Sequence, residues 1–277
     1  MMSSPYSPSL AHLEAMLTPL NRGTPTGTLI TLPDTTVTGY LASPTPSTDS
    51  PSSDPPKTKT ALLFLPDILG LWQNNQLLAD RFASTLGYPV LLPDIYNGDP
   101  FPLHKPFAVL TPTDDLTTDW AAHGSSGTNP HTPKEIDPIV AAAIAYLRSP
   151  SHFGADRIGA VGYCVGAKYV VRFLSDTSKS KIDVGFLAHP SYVTEEELWA
   201  TRGPLSIAAA ETDLIFTVEQ RQRTEEILRK KGEVWSISLY SQVAHGFAVR
   251  GDPEVKYNQW AGDEAFGQAV RFFGAWL

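Results

Sequence analysis

From Thr60 onward, short apolar runs alternate with amphipathic stretches. Residues 61–65 (ALLFL) form a continuous apolar run, the pattern of a strand covered on both faces. The next stretch, 75–86, sets Leu78, Phe82 and Leu86 on one helical stripe, with Gly87 as a stop. A strand at 89–92 follows, then a helix at 138–148 with Val140, Ala143, Ile144 and Leu147 on one face. Strands are expected at 157–163, 184–188, 205–210 and 236–240. Between and after them the pattern predicts helices at 165–174, 218–231 (closed by Gly232) and 263–276, and a short one begun by Thr194 and Glu197 spaced as a capping box. Strands that alternate with helices predict an α/β fold with a mostly parallel sheet and helices on both faces.

Two stretches break the rhythm. Residues 43–59 contain no apolar side chain and are rich in Pro and Ser, so they cannot bury enough surface to offset ordering entropy. They read as an exposed connection between strands near 36–42 and 60–65, or as a linker between domains. Residues 98–133 carry many Pro and Gly, with aromatic Phe101, Phe107 and Trp120 and no clear period. Such a stretch is expected to be a lid or binding loop. The organisation expected is one domain over 1–277, with a proline-rich N-terminal extension and loop (1–59) and a lid-like insertion (98–133). A length of 277 residues suits a single α/β unit.

Composition narrows the function classes. The net charge of −8 opposes a nucleic-acid footprint. The longest apolar run, 139–147, is far short of the ~20 residues a membrane span needs. The first residues show neither a basic nor an apolar signal region, and the chain has one cysteine, which excludes an internal disulfide or a cysteine-built zinc site. A cytoplasmic, monomeric or homodimeric protein without cofactor or metal is expected; His123 and His131 lie in the irregular stretch with no pattern that would organise them around an ion.

That single cysteine sits in Gly162-Tyr163-Cys164-Val165-Gly166, between an expected strand and an expected helix. This is a nucleophile elbow with Cys in place of Ser. The flanking glycines let strand and helix approach, and the Val165 amide at the helix start can serve an oxyanion. The helix terminus also favours thiolate over thiol. In the order nucleophile, acid, histidine, only His189 and His245 follow Cys164. His189 comes too early, directly after the elbow helix, whereas His245 follows the last strand. The acid belongs to the loop after 205–210, where Glu211 and Asp213 both qualify; Asp213, deeper in the turn, is preferred. Phe101, Trp120 and Tyr192 could line the pocket. Trp72, Tyr163, His189 and Phe247 are the expected substrate-binding side chains.

GYCVG, ETD and AHGF in this order, together with Leu65-Pro66-Asp67-Ile68-Leu69-Gly70, resemble the dienelactone hydrolase family, in its fungal form. The resemblance implies the α/β-hydrolase fold. It further implies that Asp67 partners the thiol before substrate arrives, that the Ile68 amide completes the oxyanion hole, and that Arg250 grips a substrate carboxylate. The function expected is hydrolysis of a small activated ester, lactone or thioester through a Cys164-His245-Asp213 triad and an acyl-cysteine. A non-catalytic small-molecule-binding homologue of the same fold is the alternative. A glutaminase-like enzyme is a weaker rival, because those proteins use a later His-x-Glu pair that His245-Gly246-Phe247 and His189-Pro190-Ser191 do not provide.

Overall fold

The computed structural model describes residues 19–44, 59–102, 115–175, 180–252 and 254–277. Most of the 43–59 connection, the N-terminal part of the 1–59 extension and residues 103–114 of the expected insertion lie outside the described residues. Eight strands form one sheet: β1 (Thr28–Thr31), β2 (Thr38–Ala42), β3 (Thr60–Leu65), β4 (Val90–Pro93), β5 (Arg157–Tyr163), β6 (Val184–Ala188), β7 (Leu205–Thr212) and β8 (Trp235–Ala244). Their spatial order is β1-β2-β4-β3-β5-β6-β7-β8. The first two strands pair as a hairpin and β2 joins β4 antiparallel; every pairing from β4 through β8 is parallel.

Seven helices are described: α1 (Gln73–Leu86), α2 (Asp115–His123), α3 (Pro133–Arg148), α4 (Val165–Phe173), α5 (Glu195–Ala200), α6 (Val218–Lys231) and α7 (Lys256–Trp276). They cover both faces. Leu78 and Phe82 of α1 and Phe266 and Phe273 of α7 pack on one face with Leu62, Phe64 and Val161. Ile136 and Val140 of α3, Val170 of α4 and Ile227 of α6 pack on the other with Ala61, Leu63 and Ile158. Because strand side chains alternate, the continuous apolar run of β3 serves both layers at once.

The departures from the sequence reading have local causes. Helix α3 starts at Pro133, not 138. Thr132 is its N-cap, its hydroxyl accepting from the Lys134 amide at 3.3 Å, and Pro133 takes the first turn, where a missing N–H costs nothing. Pro138, which looks like a helix start, therefore lies inside it. Helix α2 lies in the stretch expected to be irregular, and β1 has an exposed burial pattern that gives it no apolar signature. The first two turns of α7 are largely exposed and polar, which hides them from periodicity arguments. Helix α5 starts where its capping box predicts, and α6 spans the expected 218–231, begun by a second capping box of Thr217 and Gln220.

Phe82 illustrates how the α1–α7 layer is held. It is fully buried, with its ring centroid 4.6 Å from Phe266 and 6.4 Å from Phe64. Phe82→Ala is expected to destabilise the fold by about 3–5 kcal/mol, read as a lower denaturation midpoint with an unchanged slope against urea.

Candidate active site

Four chain segments converge at the carboxyl ends of the parallel strands, where an open α/β sheet leaves room for a ligand. The first is the β5–α4 junction. Cys164 has φ 53° and ψ −115°, a strained backbone for a residue with a Cβ. Three backbone bonds hold it there. Its amide donates to the Ala188 carbonyl at 3.1 Å, and its carbonyl accepts from Ser191 at 2.9 Å and Ala167 at 3.2 Å. The glycine spacing has a steric cause. A Cβ on Gly166 would lie 2.1 Å from the Leu65 carbonyl oxygen, and one on Gly162 would lie 2.7 Å from the Ala167 Cα. Helix α4 thus lies directly against the end of β3.

That approach brings the second segment, Pro66–Gly70, beside the elbow. Asn75 of α1 fixes it by donating to Asp67 Oδ1 and to the Gly70 carbonyl, both at 2.9 Å. The Ile68 carbonyl accepts from Phe101 at 2.8 Å. Among the described residues, neither the Ile68 nor the Val165 amide donates to a backbone or side-chain acceptor. Both remain available as the two oxyanion donors expected at these positions.

The third and fourth segments follow β7 and β8. Asp213 and His245 meet as expected: His245 Nδ1 is 2.9 Å from Asp213 Oδ2 and 3.0 Å from Oδ1. Asp213 Oδ1 also accepts from the Ile215 and Phe216 amides at 2.8 Å. The other acid considered, Glu211, is exposed and accepts from the Gln242 amide on β8 at 2.7 Å. Burial opposes the charge on each of the three groups, and in each the neighbours outweigh burial. The His245 positive charge and the two amides hold the Asp213 carboxyl below its usual range. Asp213 and the Cys164 sulfur together carry His245 up to about 10. His245, Arg250 and the Ser191 hydroxyl bring the Cys164 thiol down. Both shifts run toward a thiolate beside an imidazolium.

Two residues singled out by the family resemblance form an ion pair. Among the described residues, Asp67 makes no hydrogen bond to the sulfur. Its Oδ2 is 3.2 Å from Arg250 Nε, an ion pair whose N–H is not aligned for a hydrogen bond, and its Oδ1 is held by Asn75 and, at 3.3 Å, by the Leu69 amide. Arg250, expected on a substrate carboxylate, is buried and pairs with Asp67. It lies against Gly246 (φ 93°), where a Cβ would come within 2.9 Å of its Nη2.

The aromatic expectations divide. Tyr163, one residue before the nucleophile, points to the opposite sheet face and stacks on Phe64 at 5.0 Å, so it is core rather than substrate-binding. Phe247 packs against Tyr240 at 5.3 Å and His189 at 5.8 Å. Trp72 is half-buried against the α3–α4 layer. Phe101 and Trp120 are buried with Tyr96 and His131 in one aromatic cluster, and Tyr192 is exposed. His189 is fully buried, 5.0 Å from the His245 ring, with neither ring nitrogen hydrogen-bonded. Burial first, then the positive charges of His245 and Arg250, push its pKa well below the ordinary value, so it stays neutral.

Two residues escaped the sequence reading. Ser191 Oγ lies 3.2 Å from Cys164 Sγ and 3.4 Å from His245 Nε2. Tyr96 is fully buried, and burial, then the sulfur and Asp67, raise its pKa well above normal. The only sequence signal for either was a polar side chain shortly after a strand end.

Comparison with known proteins shows the family and the fold. A family model described as the dienelactone hydrolase family matches residues 49–277. The hydrolase tropI of Talaromyces stipitatus is 43% identical over 231 residues, covering 82% of this chain and 86% of that protein. Dienlactone hydrolase 1 of Gibberella moniliformis is 30% identical over 261 residues, covering 93% and 90%. Among solved structures, the dienelactone hydrolase from Anabaena variabilis superposes with a TM-score of 0.61 at 11% identity, covering 91% of this chain and 97% of that one. The propionate-bound esterase Est2 of Thermogutta terrifontis also gives 0.61, at 14% identity, covering 90% and 94%. The shared fold is the α/β-hydrolase fold.

The elbow contact gives a direct test. Gly166→Ala sets a methyl against backbone that cannot yield, so it is expected to destabilise the protein by at least about 2 kcal/mol in urea titrations. The glycine-to-alanine gain in helix propensity, about 1 kcal/mol, is too small to offset it.

Proposed function

The chain belongs to the dienelactone hydrolase family, and on that premise we propose that it hydrolyses a small activated ester, lactone or thioester through an acyl-cysteine intermediate on Cys164. The observation that carries this reading is the buried row of Asp213, His245 and the elbow sulfur, with the Asp213–His245 contact at 2.9 Å. Two unpaired amides beside the sulfur support it further.

In this mechanism the Cys164 thiolate attacks the carbonyl carbon, and the charge that develops on oxygen is taken by the Ile68 and Val165 amides. Each such donor is worth roughly 2.7–4 kcal/mol in the transition state. His245 gives its Nε2 proton to the leaving oxygen, which in a lactone stays tethered as part of the acyl group. Acylation also removes the thiolate charge, one of the two negative neighbours that held the imidazole proton. His245 is then a better base. It takes a proton from water, the hydroxide attacks the thioester, and collapse returns the carboxylic acid and the thiolate. Asp213 fixes the tautomer throughout and steadies the imidazolium. A thiolate is a better leaving group than an alkoxide, so attack on a plain alkyl ester tends to revert. Activated carbonyls, whose own leaving group is good, are the favoured substrates.

Cys164→Ala is expected to lower hydrolysis of p-nitrophenyl acetate and of an enol lactone by at least about 10³-fold. Undiminished turnover by that variant would overturn the assignment. The pH dependence follows from the shifts. The thiol is lowered, so kcat/KM rises with pH through a midpoint below the ~8.5 of a free thiol. His245 is raised, so its proton, needed by the leaving group, is lost only as pH climbs through about 10. A rate profile that rises only above pH 8.5 would contradict the thiolate–imidazolium resting state.

A further inference from the structure

Residues 189–192 follow β6 and make a turn that is costly to hold. His189 has φ 37° and Tyr192 φ 58°, both in the left-handed region and neither a glycine. Strain of this kind persists only where the surroundings over-determine it. Here they do. The His189 amide donates to the Ala208 carbonyl at 2.8 Å, the Ser191 amide donates to the Cys164 carbonyl at 2.9 Å, and Lys168 Nζ donates to the Tyr192 carbonyl at 2.9 Å. Lys168 is itself held by both oxygens of Glu197, at 2.8 and 2.9 Å. The result is that one hydroxyl, Ser191 Oγ, is delivered from a rigid and buried backbone to a point 3.2 Å from Cys164 Sγ and 3.4 Å from His245 Nε2. The acid that the family resemblance assigned to the thiol, Asp67, is occupied by Arg250 and Asn75.

We propose that Ser191 is a catalytic residue that takes over the care of the resting nucleophile: its hydroxyl donates to the Cys164 sulfur and accepts from His245 Nε2, bridging the two groups before substrate binds. This inference rests on the proposed acyl-cysteine chemistry and deepens it. The direction of each bond follows from the charge states. A thiolate has no proton to give, so the hydroxyl must be the donor to sulfur. An imidazolium has no lone pair to offer at Nε2, so the hydroxyl oxygen must be the acceptor from nitrogen. A hydrogen bond to a charged acceptor is stronger than one between neutral groups. A neutral donor also serves the sulfur differently from a carboxylate. It stabilises the thiolate without adding a second negative charge, so the nucleophile stands ready before substrate arrives.

The groups whose charge bears on the sulfur are His245 and, behind it, Asp213; Arg250 and Asp67; Tyr96; and the neutral His189. Substitution at Ser191 alters none of these, which isolates its contribution. The chain has one cysteine, so alkylation by iodoacetamide reports on Cys164 alone. The decisive experiment measures the alkylation rate from pH 4 to 10 for the full-length protein and for Ser191→Ala, Ser191→Thr and Ser191→Val. Thr and Val have the same shape and crowd the turn alike, but only Thr keeps a hydroxyl.

Ser191→Ala and Ser191→Val are expected to raise the midpoint by about one pH unit and to slow labelling about tenfold at the acid end. Ser191→Thr is expected to stay close to the parent protein. A purely structural role would move Thr and Val together and leave the midpoint where it was. Thermal melting of each variant locates the folded range; should Ala unfold, the Thr–Val pair still decides. Unchanged midpoints in Ala and Val, or equal shifts in Thr and Val, would overturn the role of Ser191. If those results came while Cys164→Ala abolished turnover, only Ser191 would lose its role. Full turnover in Cys164→Ala would remove the underlying acyl-cysteine reading instead.

Discussion

The site depends on one close contact, the first turn of α4 seated against the last carbonyls of β3. Gly166 makes it possible, because any side chain there would meet the Leu65 and Pro66 carbonyl oxygens. The contact turns the chain at Cys164 into positive φ and pushes its side chain out at the strand end. It also sets the Val165 amide beside the Ile68 loop. Loosening this seat would displace the Cys164 side chain and the Val165 amide together.

Around that contact the fold arranges ionisable groups in two rows. Asp213 and His245 form one, and Asp67 and Arg250 the other. Breaking a buried pair by removing one partner costs far more than the pair is worth intact, because a lone charge is left without water. The charges of Asp67 and Arg250 are therefore held close to each other beside the elbow. His189 stands beside both cations and escapes the conflict by staying neutral.

The β6 turn completes the site from the opposite side. Its strain, its three anchors and the Lys168–Glu197 pair all fix the position of Ser191. A hydroxyl can donate on one side and accept on the other, so it suits a place between a thiolate and an imidazolium, where a carboxylate would bring a competing charge. The neutral His189 in the same turn fits the same logic.

Much of this protein was legible in its sequence, and the reason is local. Periodicity gave the parallel core strands because a strand buried on both faces must be apolar throughout, and capping residues placed the start of α5. The elbow was readable because sterics confine the two glycines to fixed distances from Cys164. Chain order alone singled out His245. Helix α2 and strand β1 were not legible, having no apolar stripe long enough to see, and Pro138 disguised the start of α3. In the site, the sequence favoured Asp213 over Glu211, and the tertiary structure sets Asp213 against the imidazole and Glu211 against the Gln242 amide. It also paired Asp67 with Arg250, turned Tyr163 into the core and brought Ser191 to the sulfur. Sequence fixes what depends on neighbours along the chain, and these choices depend on where side chains from distant strands meet in a space that excludes water.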